Sequence, residues 1–279
     1  MTDNQTVMDR YAVMGNPVAH SKSPRIHALF ARQTAQRLQY DAIRVESGSL
    51  VAAIDDFLSA GGKGLNITVP LKEEAWALAQ RRSGRAERAG AVNTLVLDQS
   101  GNHFADNTDG AGLVRDLLHN HGCTLQQKRL LLVGAGGAAR GVIEPLLQEQ
   151  PSLLVIANRT AEKAVELARL FCDIGHTEGC GLDDVDGQNF DLIINATAAS
   201  LAGQVPALPN SVVTTNSWCY DMMYADKPTA FMDWARQRGA AACLDGLGML
   251  VEQAAESFYL WRNVRPDTRP VMQALRNPG

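Results

Sequence analysis

The sequence predicts a two-domain α/β protein, and three observations carry that expectation. Its 279 residues correspond to roughly two domains at about 150 residues each. Short apolar runs alternate with longer amphipathic ones, the pattern of βαβ units around a mainly parallel sheet. The alternation also occurs as two separate series, one before Asp109 and one starting at Arg129.

In the first series Tyr11–Met14, Gln39–Val45, Gly64–Thr68 and Thr94–Asp98 read as strands, with helices beginning near Pro24, Ser49 and Pro70. Gln99-Ser100-Gly101-Asn102 reads as a turn between antiparallel strands. A helix is expected from Asp109 to about His121, with Leu113, Leu117 and Leu118 on one face. The second series has strands at Arg129–Val133, Leu153–Ala157, Leu192–Asn195 and Ser217–Asp221, and helices at Ala138–Leu147, Ala161–Phe171 and Thr229–Arg238. Leu247–Trp261 and Arg269–Leu275 are helical with no strand after them, so the C-terminal end can return to the first domain. The expected domains are 1–108 with 246–279, and 109–245.

Composition narrows the function. There are 26 Lys and Arg against 30 Asp and Glu, a formal net charge of −4. With no basic block, a nucleic-acid partner is not expected. No apolar run approaches ~18 residues, so no membrane span is expected. Met1-Thr2-Asp3-Asn4-Gln5 lacks an apolar signal core, which points to a cytoplasmic protein. Cys123, Cys172, Cys180, Cys219 and Cys243 are widely spaced, with no C-x-x-C, and fit reduced thiols. The histidines form no ligand pattern, so no metal is expected.

Val133 to Gly141 closes a strand and opens a helix. Gly134, Gly136 and Ala139 fit the G-x-G-x-x-G/A spacing, with Gly137 and Ala138 inside the same turn. The first glycine permits the tight turn, the second lets backbone approach a pyrophosphate, and the small third residue lets helix and strand pack closely. Free N–H groups at the helix start then face the phosphates. The fold expected here is Rossmann-like; the plainer alternative is a Gly-rich turn without ligand. An NAD site usually carries an acid about 20 residues on. Here the next strand ends in Asn158, Arg159 and Thr160, with Lys163 one turn later. A carboxylate would repel a 2′-phosphate, whereas a guanidinium can grip it through paired hydrogen bonds. Thr160 can cap the next helix and add a donor. The cofactor indicated is NADP(H); the alternative leaves Arg159 and Lys163 as a solvated basic face.

Three segments of the first domain suggest a small polar ligand. Ser23 and Pro24 form an N-cap and N1 pair, and Ser21 adds a second hydroxyl near the same helix start, suited to a carboxylate. Gly64 to Lys72 runs from strand to helix and places Lys72 in the first turn. A cation there is disfavoured by roughly 0.3–1 kcal/mol, which suits acid–base work, although a solvated lysine is the ordinary alternative. Asn93 precedes a strand and Asp109 opens a helix. Either can be a plain turn or helix-start residue, or they can bond neighbouring hydroxyls of a polyol ring, with Asp109 steadying Lys72.

Eight motifs then occur in order: GNPVAHSKSP, NITVPLK, AGAVNTL, NTDG, VGAGGAAR, NRT, YDMMY and DGLGMLVEQA. Through them the chain, from Tyr11 to about Leu275, resembles the shikimate dehydrogenase family, NADP-dependent enzymes of aromatic amino-acid biosynthesis. The resemblance implies an N-terminal substrate-binding α/β domain, a Rossmann-like NADP-binding domain and a substrate pocket in the cleft between them. It implies that Ser21 and Ser23 hold the substrate carboxylate, and that Thr68, Asn93 and Gln253 line the ring and its hydroxyls. It further implies Lys72 and Asp109 as the catalytic pair, Tyr224 reaching the substrate from the cofactor side, and Gly246 beside the nicotinamide. The implied reaction is reversible reduction of 3-dehydroshikimate to shikimate, on the route to chorismate. The alternatives are a broader quinate/shikimate dehydrogenase and a non-catalytic NADP-binding sensor; monomer and homodimer both stay open. The chain departs from the family pattern at Ala198-Ala199-Ser200, in a loop expected beside the cofactor. It departs also at Ala139, where serine is frequent, and at Ala28, expected to pack rather than react.

Overall fold

The structure, a computed structural model, describes residues 8–277. These form two compact units: the chain up to Thr108 together with the residues from Ala254 onward, and Asp109–Gln253.

In the first unit the order is β1 (Asp9–Gly15), α1 (Ser23–Gln33), β2 (Leu38–Arg44), α2 (Leu50–Ser59), β3 (Gly62–Ile67), α3 (Lys72–Leu78), β4 (Arg81–Arg82), α4 (Gly84–Ala89), β5 (Thr94–Val96) and β6 (Phe104–Asp106). Its sheet runs β2-β1-β3-β5-β6-β4. β1 pairs in parallel with β2 and β3, while β5 is antiparallel to both β3 and β6. Asn66 stands opposite Thr94, and Thr94 opposite Asp106. The reversal therefore brings the start of β5 to the edge where β1, β3 and β6 end.

The second unit contains α5 (Asp109–Arg115), β7 (Arg129–Val133), α6 (Gly137–Gln148), β8 (Leu153–Asn158), α7 (Ala161–Arg169), β9 (Thr177–Gly181), β10 (Leu192–Asn195), β11 (Trp218–Asp221), α8 (Ala230–Gln237) and β12 (Ala242–Asp245). Its sheet is wholly parallel, in the order β12-β11-β10-β7-β8-β9. Along β7, Leu130 and Leu132 join one apolar cluster, and Leu131 and Val133 the other. Both faces are covered, so the inner strands are continuously apolar rather than alternating.

α9 (Leu247–Arg262) contributes to both units, and α10 (Arg269–Arg276) follows it. The division after Gln253 falls inside α9, whereas the sequence expectation closes the second domain at 245. The first turns of α9 pack within the second unit: a Cβ on Gly248 would overlap the Asp116 carboxylate, and one on Gly112 would lie 2.7 Å from Gln253 Cβ. The later turns belong to the first unit. There Trp261 donates its indole N–H to Leu95 O at 2.9 Å and stacks on Tyr11.

The helix expected from Asp109 to His121 has two parts. After α5 it widens into a π-helical turn over Asp116–Asn120. The fully buried Asp116 accepts hydrogen bonds from Tyr220 Oη at 2.7 Å and Asn120 Nδ2 at 2.9 Å. Leu113 and Leu117 are buried on one face, as their spacing predicts. Among the described residues, no helix is long and apolar enough to cross a membrane, and no His, Cys, Asp and Glu cluster could hold a metal ion. All five cysteines are free thiols.

His27 lies fully buried in α1, stacked on Tyr40 at 4.2 Å between ring centroids. Burial lowers its pKa to about 3, with the Asn66 side chain acting weakly the other way. An unfolded histidine titrates near 6.5, so the unfolded chain binds the extra proton first. The stability this supplies is complete above that value and is lost as pH falls through it towards about 3. Between pH 7 and 5 the chain is expected to lose roughly 2 kcal/mol more than a His27→Phe variant. Urea unfolding at the two pH values checks this; equal losses would reject it.

Candidate active site

The first unit gathers its polar residues on one sheet edge. β1 and β3 are adjacent and parallel, so the loops that follow them leave side by side: Asn16 N–H donates to Val69 O at 3.0 Å. Thr68 packs so tightly against Gly15 that a Cβ on the glycine would overlap its methyl group. The loop that goes on to Ser21 and Ser23 and the loop that leads from Thr68 to Lys72 therefore leave this edge as neighbours. The Val92 N–H then donates to Lys72 O at 2.9 Å, and the Asn93 N–H to Asp106 O at 3.0 Å. Asn93 Oδ1 accepts from Thr108 N–H at 2.9 Å, and Asn93 Nδ2 donates to Thr108 Oγ1 at 2.9 Å. Thr108 immediately precedes Asp109, which opens α5 and is buried.

Local detail corrects two capping expectations. Ser23 is not the N-cap of α1 but its first residue. Ser21 Oγ, two residues earlier, reaches the amide and accepts from Ser23 N–H at 3.2 Å. Ser23 itself is buried; burial also pushes the Tyr40 phenol well up in pKa, with the Ser23 side chain partly offsetting it. Thr160 precedes α7 but its hydroxyl makes no capping bond. Ala28, expected to pack, is exposed. Lys72 stands at the very start of α3 and is partly buried.

Beneath this edge lies a polar network that sequence reasoning missed. Asn66 accepts from Tyr40 Oη at 2.7 Å, and its amide nitrogen faces Asn93 O, Thr94 Oγ1 and Ser257 Oγ at 3.0–3.2 Å. Ser257 Oγ also lies 2.8 Å from Thr94 Oγ1. Asn66 opens the NITVPLK motif and was the one local signal; Ser257 carried none. Arg85 adds a two-armed bond to Asp106 at 2.5 and 2.7 Å, fixing the strand that leads to Asn107 and Thr108. Such fully satisfied networks hold one geometry.

In the second unit the ends of β7, β8, β10, β11 and β12 share one edge because all are parallel. Gly134 has φ +113°, a region that glycine enters freely, and its N–H donates to Ala157 O at 2.8 Å. Gly136 precedes α6 and a Cβ there meets nothing within 4 Å, so the space above the turn is open. Gly137 starts the helix, Ala138 is exposed, and Ala139 is fully buried where helix meets sheet. The first turn of α6 carries no acidic residue. Asn158 Nδ2 closes its own turn onto Thr160 O at 2.9 Å, leaving Arg159, Thr160 and Lys163 exposed. An open helix start with no acid in its own first turn, and the exposed Arg159 and Lys163 after β8, fit a dinucleotide bearing a 2′-phosphate.

Tyr224 lies in the loop after β11, and burial raises its pKa. Gln253 lies on α9 and donates to Leu250 O at 2.9 Å. Gly246 joins β12 to α9, and a Cβ there would overlap Met222 O. Since that neighbour is backbone, Gly246→Ala is expected to destabilise the chain by about 3 kcal/mol. A thermal midpoint within 2 °C of the parent, roughly 1 kcal/mol or less, would contradict this.

Family models match nearly the whole chain: "Shikimate dehydrogenase substrate binding domain" at residues 13–95, "Shikimate / quinate 5-dehydrogenase" at 116–256, and "Shikimate 5'-dehydrogenase C-terminal domain" at 246–276. The shikimate dehydrogenase (NADP(+)) of Nitrosococcus oceani is 56% identical over 268 residues, covering 96% of this chain and 95% of its own. That of Alkalilimnicola ehrlichii is 57% identical, covering 96% and 98%. Among solved structures, the Ael1 enzyme of Pseudomonas putida superposes with a TM-score of 0.91 at 47% identity, covering 97% of this chain and 99% of its own. The shikimate 5-dehydrogenase of Thermus thermophilus, solved with NADP(H) and shikimate, gives 0.86 at 32% identity, covering 96% and 99%. On its two parallel-rich sheets, its glycine turn and these likenesses, the chain belongs to the shikimate dehydrogenase family.

Proposed function

We propose that this chain catalyses the reversible reduction of 3-dehydroshikimate to shikimate with NADPH, in the cytoplasm. The observation that carries the reading is one sheet edge presenting two hydroxyls, an amide and an amine within a single unit, as a hydroxylated ring acid requires. Ser21 and Ser23 bind the carboxylate; Thr68, Asn93, Gln253 and Tyr224 bind the ring and its hydroxyls. The cofactor is held by Gly134, Gly136, Gly137, Ala138 and Ala139 at the pyrophosphate, by Asn158, Arg159, Thr160 and Lys163 at the adenosine phosphate, and by Gly246 near the nicotinamide.

When bound, NADPH supplies the hydride. The chain's own residues manage the proton. As the substrate carbonyl oxygen gains negative charge, Lys72 Nζ donates to it, and in the oxidation direction Lys72 accepts the hydroxyl proton. Asp109 steadies the ammonium. Ser23 acts on binding alone, so Ser23→Ala is expected to raise the KM for shikimate by about 10-fold with kcat little changed. An unchanged KM would move the carboxylate site elsewhere.

Reduced-nicotinamide absorbance tests the whole reading, with shikimate or quinate offered in turn with NADP⁺ or NAD⁺. Turnover of shikimate with NADP⁺ above the other three pairs is expected. Comparable turnover of quinate identifies the broader enzyme. NADP⁺ binding without turnover of either acid identifies a sensor.

A further inference from the structure

On the functional edge of the second sheet, one buried carboxylate ties three segments together. Asp221 ends β11 and is fully buried. Its Oδ1 accepts from Asn195 Nδ2 and from the Met223 N–H, each at 3.1 Å. Its Oδ2 accepts from Ser200 Oγ and Thr229 Oγ1, each at 2.6 Å. The donors come from the end of β10 and the loop after it, from the loop that carries Tyr224, and from the residue that caps α8. Burial raises the Asp221 carboxyl against these four donors.

The loop held this way is a wall of the glycine turn. A Cβ on Gly134 would lie 3.2 Å from Thr197 Cγ2 and 3.5 Å from Ala196 O. Thr197 is itself pinned, its hydroxyl donating to Asn195 Oδ1 at 2.7 Å. In this sheet β8 lies on one side of β7, and β10 then β11 lie on the other. A dinucleotide lies across strand ends where the winding reverses, with its adenosine ribose at the strand after the glycine turn. That strand is β8, so the nicotinamide half falls towards β10 and β11.

We infer that Asp221, acting through Ser200, is a positioning residue for the nicotinamide half of the cofactor groove and not for the adenosine half. The inference rests on the reading that the glycine turn holds NADP(H). Ala198 and Ala199 offer no hydroxyl. Ser200 supplies one, and directs it inward to Asp221 rather than to a ligand. Removing that single hydroxyl leaves the carboxylate its other three donors and leaves Thr197 its bond to Asn195, so the fold is retained while the loop loses its direct bond to Asp221.

Calorimetric titration of the full chain separates the two halves of the groove, using NADP⁺ and adenosine 2′,5′-bisphosphate as probes. Ser200→Ala is expected to weaken NADP⁺ binding by about 5- to 10-fold, in keeping with the net worth of one ordinary hydrogen bond. Adenosine 2′,5′-bisphosphate should bind within 2-fold of the parent. Ser200→Thr, which keeps the hydroxyl, restores NADP⁺ affinity. If NADP⁺ binds Ser200→Ala undiminished, or if both probes weaken alike, the inference is overturned while the cofactor reading stands. If the unaltered chain binds neither probe, the cofactor reading falls and takes the inference with it.

Discussion

Replacing Lys72 with alanine is expected to lower kcat by about 10²–10⁴-fold, the usual contribution of a positioned general acid. The KM for shikimate should change modestly, because the amine acts on charge that develops in the transition state rather than on the bound acid. The substitution is also mild for the fold. Lys72 is anchored through its main-chain carbonyl, which accepts from the Val92 N–H, and alanine supports that bond equally well. Alanine is the best helix former and sits here at the start of α3. A loss of rate therefore reports the missing amine. Steady-state kinetics in the oxidation direction decides the matter: a kcat within a few-fold of the parent would remove Lys72 from the chemistry.

Arg159→Asp should raise the KM for NADP⁺ by about 10²-fold and shift preference towards NAD⁺. A lost charge-assisted bond to phosphate accounts for roughly 1.5–3 kcal/mol, and the new carboxylate adds repulsion. The turn that presents Arg159 is closed by Asn158 Nδ2 on Thr160 O, so the arginine side chain can change without reshaping it. The exposed Lys163 remains and limits the loss. The ratio of kcat/KM for the two cofactors is the measurement; an unaltered ratio would return Arg159 to the solvent-facing surface.

The inner strands of both sheets were legible because burial on two faces demands unbroken apolar runs such as Leu130 to Val133. Of the outer ones only β2 was, read as Gln39–Val45. β9 is the glycine-rich Thr-Glu-Gly-Cys-Gly, β12 is partly exposed, and β4 spans two residues, so none carries a strand pattern. The widened turn at Asp116 was equally hidden, since its bonding partner Tyr220 lies 104 residues away. At the candidate site the residue types announced themselves: paired serines before a proline, a lysine at a helix start, an Asn before a strand and an Asp opening a helix. What holds them could not be read locally. Ser257 meets Asn66 across 191 positions, and Ser23 looked like a cap until Ser21 proved to accept its amide hydrogen.

The split ownership of α9 bears on how the chain comes off the ribosome. Asp109–Gln253 is one uninterrupted stretch, able to close its core as soon as it emerges. The opening segment is not self-sufficient: it needs Ser257 for its polar centre and Trp261 for the seam over Tyr11 and Leu95. The segment before Asp109 is thus completed only after the whole of Asp109–Gln253 has been translated, once Ser257 and Trp261 have followed it.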